Sequence, residues 1–359
     1  MKMKQVITKD RIETPALLID LDILEANIRK MSEFFNDKKA KLRPHFKTHK
    51  SPAIAHMQIA AGAKGLTCAK LGEAEVLAAA GIRDILIANQ IVDTQKIYRL
   101  AGLAKLTRIT VCVDNSDNIT ELSEAAQAYG SIINVLVEIN VGMERCGVDT
   151  KEESLILAKQ ISDSKGLVFE GFQAYAGQLS HNPDRDARIK GVEAAAIKVA
   201  EIKKYLEEHG LAVKEISGAG TGTHSITGNN TIWTEIQAGS YVFMDTDYER
   251  LELGFEKSLS VLTTVIHKRP GVAITDAGQK VCCKTMGSPA VKNYPGLFVA
   301  LSEEHGKIPD EKDELKYLQK IEYEPSHCCS TANMHDYYYC VRKGVLETIW
   351  PVSGRGKSR

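Results

Sequence analysis

The stretch DILIANQIVDTQKIYRLAGLAKLTRITVCVDNSDNITELSEAAQAYG, residues 84–130, twice places a short apolar run before an amphipathic one. DILIAN and ITVCVD are too short for helices and rich in Ile and Val, so they read as buried strands. TQKIYRLAGLA and SDNITELSEAAQAYG repeat apolar residues at helical spacing and read as helices. The same alternation extends both ways. Upstream lie ALLIDL with DILEANIRKMSEFF, and GLTCA with LGEAEVLAAAG. Downstream lie INVLVEIN with KEESLILAKQISDS, VFEGFQAY with DARIKGVEAAAIKVAEIKKYLEEHG, then VKEISGAGTG and EIQAGSYVF. Strands that alternate with helices form a parallel sheet, and about eight such units predict an α/β fold, a (β/α)8 TIM-type barrel over residues 14–250.

Beyond Gly254 the texture changes. LSVLTTVIHKRP, GVAITDAG, GLFVALSEEHG and YYYCVRKGVLETIWPV alternate Val, Thr and Tyr between Gly and Pro, which predicts a smaller, mostly β domain over residues 251–359, with residues 1–13 packed against it. A length of 359 residues suits two domains, since single cores stop growing near ~250–300 residues.

The 46 basic residues balance 46 acidic ones, so no bulk field draws nucleic acid or an anionic membrane, and partners must be read from sites. No apolar run reaches the ~18–20 residues of a membrane span, and MKMKQVITKDRIETP lacks the apolar core of a secretory signal. A soluble, cytoplasmic protein is the expectation. The eight cysteines, with two adjacent pairs, are badly spaced for a disulfide scaffold and read as free thiols, with a metal ligand among them allowed.

RPHFKTHK, residues 43–50, gathers Arg43, His45, Lys47, His49 and Lys50. His45 and His49 have the i,i+4 spacing of ligands on a helix, but Pro44 opposes a helix there. On a strand His45, Lys47 and His49 would share one face, and a desolvated lysine among cationic neighbours becomes a Schiff-base nucleophile. A solvated basic loop is the third reading. SGAGTGTH, residues 217–224, offers backbone N–H groups and the Thr221 and Thr223 hydroxyls to an anion, or is simply a tight turn. A dinucleotide fingerprint is disfavoured, because no amphipathic helix follows and the loop is not the first βα turn. VEINVGMERCG, residues 137–147, runs a strand into a turn with Glu138, Asn140 and Arg145 as polar residues. In EPSHCCSTANMHD, residues 324–336, His327 and Cys329 would point the same way on an extended segment, as two metal ligands or as part of a buried thiol group, with Cys328 facing oppositely.

RPHFKTHK and the opening TPALLIDLDILEANI resemble the fold-type III pyridoxal phosphate enzymes, the alanine racemase-like group, and more closely its D-threonine aldolase and D-serine dehydratase branch. The resemblance covers nearly the whole chain. It implies that Lys47 is the cofactor lysine, that Gly220, Thr221, Gly222 and Thr223 hold the phosphate with Tyr241 near them, and that Arg145 faces the phenolic oxygen. It places Gln173 and Tyr175, from GFQAYAGQLSH, beside the ring and His181 over the substrate. It assigns a divalent metal to His327 and Cys329, zinc being favoured by the thiolate, whereas an aspartate in that position suits Mn, Co or Mg. The implied activity is metal-assisted cleavage of D-threonine and related D-3-hydroxy amino acids to glycine and an aldehyde. The alternative is a D-serine or 3-hydroxy-D-aspartate dehydratase giving a 2-oxo acid and ammonia. A non-catalytic pyridoxal phosphate carrier is less expected, because barrel-only carriers lack the β-rich tail. A homodimer is also implied, with a small D-amino acid as substrate and no nucleic acid or membrane partner.

Overall fold

Eight parallel strands make one sheet: Lys41–Leu42, Leu66–Cys68, Asp84–Gln90, Arg108–Val113, Ile133–Glu138, Leu167–Ala174, Glu215–Gly218 and Glu235–Ile236. From Leu66–Cys68 onward each pairs with its successor, and the last pairs with Lys41–Leu42. A parallel bridge between His45 and Thr67 then joins the first strand's extension to the second and closes the ring. The computed structural model, which describes residues 7–359, therefore has the barrel that the alternation predicts. Ile133–Glu138 is buried along its whole length, as a strand covered by side chains inside and helices outside must be.

The barrel helices begin and end where local chemistry directs. Asn115 accepts from the N–H groups of Asp117 and Asn118 to open Ser116–Tyr129, and Gly130, with φ of 59°, closes it in the left-handed region. Thr150 and Glu153 form a reciprocal capping box ahead of Lys151–Asp163. Asp184 accepts from Asp186 and Ala187 to open the long helix Arg185–Glu208.

The chain divides into two units: Met31–Lys47, Ile54–Gly239 and Gly356–Arg359 in the barrel unit, and Thr48–Ala53, Ser240–Arg355 and the described part of Met1–Lys30 in the other. The second unit holds a nine-stranded sheet, mostly antiparallel, centred on Leu259–Arg269. Its hairpin from Tyr337–Arg342 to Val345–Pro351 turns through Lys343 and Gly344, with φ of 48° and 77°, the two left-handed residues that a tight hairpin requires. Thr8 bridges Val345 and the Lys9 N–H donates to the Gly344 carbonyl, so residues 8 and 9 pack in this unit; residues 1–6 of the expected 1–13 lie outside the described residues.

Two sequence expectations need correction. Ala16–Asp20, counted as the opening strand of the barrel series, instead pairs with Leu259–Arg269 and Tyr337–Arg342 in the second sheet. Its side chains are buried on both faces in either setting, so its composition does not say which sheet it joins. The RPHFKTHK stretch is not a strand either: the strand stops at Leu42 and Phe46–Thr48 is a single 3₁₀ turn, so His45, Lys47 and His49 do not share a pleated face. Instead His45 Nδ1 accepts from the Lys47 N–H at 3.3 Å, and His49 Nδ1 accepts from the Ser51 N–H at 3.2 Å.

Candidate active site

Barrel strands deliver side chains from their C-terminal ends, where the loops leave. Lys47 follows the first strand, Arg145 follows Ile133–Glu138, Gln173 and Tyr175 end and follow Leu167–Ala174, and Gly220–Thr223 follow Glu215–Gly218. The Tyr175 ring is where they meet. Lys47 Nζ lies 6.0 Å from its centroid and the Arg145 guanidinium 5.7 Å from it, and the Tyr175 hydroxyl is 3.4 Å from Ser180 Oγ. A Cβ at Gly220 would lie 3.6 Å from the Tyr175 ring, in ordinary contact, and 2.9 Å from Ser180 Oγ, which would have to shift, so the loop lies directly against the ring and Ser180. Gly218 is more constrained, since a Cβ there would overlap the Ala174 carbonyl, the acceptor of the Trp233 indole N–H.

Polar groups fix this rim. Glu138 is buried with its carboxylate 3.9 Å from Arg145, and Gln90 donates to it at 2.5 Å. Burial raises the Glu138 carboxyl above its usual range, against the pull of Gln90 and Arg145. Gln173 accepts from Gln237 at 2.7 Å, and Gln237 also reaches Ser217 Oγ at 2.9 Å, which holds the Gln173 amide in one orientation. Thr221–Thr223 forms one 3₁₀ turn, all buried; His224 Nδ1 donates to the Thr221 carbonyl at 2.8 Å and Arg188 Nη1 to the Gly222 carbonyl at 2.6 Å. His181, expected over the substrate, lies half-buried just past the turn Gly177–Leu179. An amine, an aromatic ring, a guanidinium and a glycine cradle are the parts that hold a phosphorylated pyridine aldehyde, and these residues fit that group.

The second unit contains the other expected pair. His327 caps the short helix Cys328–Ala332, so His327 and Cys329 meet across its first turn and not along an extended segment. Nor does Cys328 face away, since its sulfur is 3.9 Å from that of Cys329. Hydrogen bonds from Cys328, His327 and Thr48 hold the Cys329 thiol well below its ordinary pKa despite burial, and the bond with Cys329 is the main cause that raises His327 to about 9. An imidazole beside a thiol of lowered pKa is a donor set from which a soft divalent metal displaces a proton. Thr48 Oγ1 and Ser240 Oγ stand 3.3 and 3.5 Å from the Cys329 sulfur, and Thr285 Oγ1 is 3.0 Å from His327 Nδ1. Asp245 anchors the turn by accepting from the Cys328 N–H at 2.9 Å. No third His, Cys, Asp or Glu among the described residues completes a metal cluster with this pair. His335 and Asp336 do not serve this pair: they bond the Val281 carbonyl and Arg355. Tyr241 is also in this unit, buried with its ring 5.7 Å from that of Phe255. All eight cysteines are free.

Sequence reading missed several of these groups. Arg188 sits in DARIK, which reads as the polar side of a helix, and Thr48, Ser240, Asp245 and Thr285 carry no pattern of their own. Arg43 and Lys50 had no assigned role. Arg43 proves to be buried at the opposite mouth of the barrel, paired with both oxygens of Glu235 at 2.8 and 2.9 Å and of Asp84 at 2.9 and 3.1 Å. Lys50 Nζ lies 3.5 Å from the Gly354 carbonyl.

Residues 19–247 match the alanine racemase N-terminal domain family, and residues 258–341 match a serine dehydratase domain family. The chain is 41% identical to a 3-hydroxy-D-aspartate aldolase of Paracoccus denitrificans (strain Pd 1222) and 42% identical to a D-threonine aldolase of an Arthrobacter species, each over 97% of this chain and 94% of the relative. The crystal structure of a D-threonine aldolase from Filomicrobium marinum matches with a TM-score of 0.96 at 39% identity, over 99% of both chains. A D-threo-3-hydroxyaspartate dehydratase of Delftia sp. (strain HT23) is more distant, at 28% identity over 94% of this chain and 96% of that one. With its barrel and a family match over residues 19–247, this chain belongs to the alanine racemase N-terminal domain family of pyridoxal phosphate enzymes.

Proposed function

We propose that the protein is a metal-assisted, pyridoxal phosphate-dependent lyase that splits D-threonine and related D-3-hydroxy amino acids into glycine and an aldehyde. The observation that carries this reading is the convergence of Lys47, Arg145 and the Gly220 loop on Tyr175. When bound, the cofactor supplies an electron sink for the pair released as the Cα–Cβ bond breaks. In this reading Lys47 is its covalent anchor, Gly220 to Thr223 seat its phosphate, and Arg145, kept in place by Glu138, faces its phenolic oxygen. Gln173 and Tyr175 fix the ring plane, and Tyr241 completes the cofactor contacts. His181 takes the proton of the β-hydroxyl, whose oxygen becomes the aldehyde carbonyl. His327 and Cys329 would hold the divalent metal, which lowers the pKa of that hydroxyl. The thiolate favours zinc over Mn, Co or Mg. A cytoplasmic homodimer belongs to the same reading; no helix among the described residues is long and apolar enough to cross a membrane.

Cys329 favours a second reading. A cysteine donor is what the resemblance implies for a D-serine or 3-hydroxy-D-aspartate dehydratase, in which Lys47 takes the Cα proton and the hydroxyl leaves, giving a 2-oxo acid and ammonia. Incubation with D-threonine, D-3-hydroxyaspartate and D-serine separates the two, with aldehyde and ammonia measured together, with and without chelator. The lyase reading expects aldehyde in equimolar amount with glycine, lost on chelation; ammonia as the main product from every substrate overturns it.

A further inference from the structure

Arg188 is only 4% exposed, yet no carboxylate pairs with it among the described residues. Its Nη1 donates to the Gly222 carbonyl at 2.6 Å, and its Nε is buried with no hydrogen-bond partner. Asp184 attracts the guanidinium and Arg185 repels it, but neither bonds it, and a buried guanidinium without a bonded carboxylate is costly unless something repays its desolvation. Arg43, at the opposite mouth of the barrel, shows the ordinary solution, with carboxylates on both edges of its fork. Arg188 lacks that partner and instead sits in the first turn of Arg185–Glu208, where the helix dipole adds further positive potential.

What lies beyond Arg188 is the turn Thr221–Thr223. His224 and Arg188 draw the Thr221 and Gly222 carbonyls to one side. Because each peptide unit is planar and trans, the Gly222 N–H, in the same unit as the Thr221 carbonyl, is turned the other way. The Gly222 N–H therefore looks away from the groups that hold the turn and is polarised through the Thr221 carbonyl, whereas the Thr223 N–H closes the turn on the Gly220 carbonyl at 3.3 Å, so Arg188 acts on the site through its charge.

We infer that Arg188 is the fixed cation of an anion site on Gly220–Thr223, a positioning residue that selects a phosphoryl dianion without touching it. The inference rests on the assignment of that loop to the cofactor phosphate. Its consequence is a preference for pyridoxal phosphate over pyridoxal that depends on charge at residue 188 and not on the hydrogen bond to Gly222 alone.

Arg188→Gln keeps a donor for the Gly222 carbonyl and removes the charge, and Arg188→Lys keeps the charge. Affinities for pyridoxal phosphate and for pyridoxal are measured on each full-length protein by quenching of tryptophan fluorescence. Arg188→Gln is expected to lower pyridoxal phosphate affinity about tenfold while pyridoxal affinity stays within about twofold, and Arg188→Lys is expected to restore most of the loss. In the wild-type holoprotein the ³¹P resonance is expected to stay at its dianion position below ~pH 6, the ordinary second phosphate pKa, and to move toward the monoanion position in Arg188→Gln. An unchanged preference in Arg188→Gln, or an equal fall for both ligands, overturns the role of Arg188. A wild-type protein that shows no preference for the phosphorylated ligand overturns the loop assignment beneath it.

Discussion

Lys47 is a small part of a basic stretch, but its amine and the Arg145 guanidinium both address the Tyr175 ring from strand ends of one barrel. Lys47→Ala is expected to abolish both the visible absorbance of the bound cofactor and aldehyde release, while leaving the far-ultraviolet circular dichroism unchanged; retained colour and turnover would show that another amine is the anchor. The glycines are equally specific. A Cβ at Gly218 overlaps the Ala174 carbonyl and crowds the Trp233 indole at 3.0 Å, so backbone must move to admit it. Gly218→Ala is expected to cost about 2 kcal/mol or more, read as a lower urea midpoint.

Among the elements, the barrel's two mouths have divided tasks. Strands end in the proposed cofactor groups, whereas Asp84, Glu215 and Glu235 open their strands and pair with Arg43 and Lys64 at the other mouth. Burial alone would raise the Glu235 carboxyl, but Arg43 and Lys64 outweigh it and hold the group down at about 2. A folded-state pKa below the ordinary 4.5 means that the contribution to stability is present above pH 4.5 and is lost as pH falls toward 2. The shift corresponds to roughly 3 kcal/mol. Arg43→Met removes the partner and leaves two carboxylates facing an apolar side chain, at an expected cost of ~3–5 kcal/mol at neutral pH. In that variant the urea midpoint should also lose much of its fall between pH 4.5 and 2; an acid profile identical to wild type would mean that other carboxylates set it.

At the scale of the whole molecule, the proposed cofactor anchor Lys47 belongs to the barrel unit, and the proposed metal pair His327 and Cys329 belongs to the other. His327→Ala is therefore expected to lose bound metal and at least ~100-fold in aldehyde release while keeping the visible absorbance of the cofactor; loss of colour together with metal would refute that separation. Much of this was legible in order along the chain. Strand and helix alternation follows from periodicities only a few residues long, so the barrel could be read from DILIAN, ITVCVD and the helices after them. Motif chemistry is local too: RPHFKTHK, SGAGTGTH and HCC carry their donors within a few positions, but each motif alone left a plainer reading open, and it was the family resemblance that implied roles for Lys47, the glycine loop and the His327–Cys329 pair. What the sequence could not fix was every outcome set by partners far along the chain. ALLID is equally apolar for either sheet, and only its pairing with residues some 240 and 320 positions away placed it in the second. Arg43 and Arg188 are the same residue type with the same local helix or loop propensities. One is neutralised by Asp84 and Glu235 and the other is left buried without a bonded carboxylate at a glycine turn, because charge burial depends on which distant groups the fold brings within a hydrogen bond.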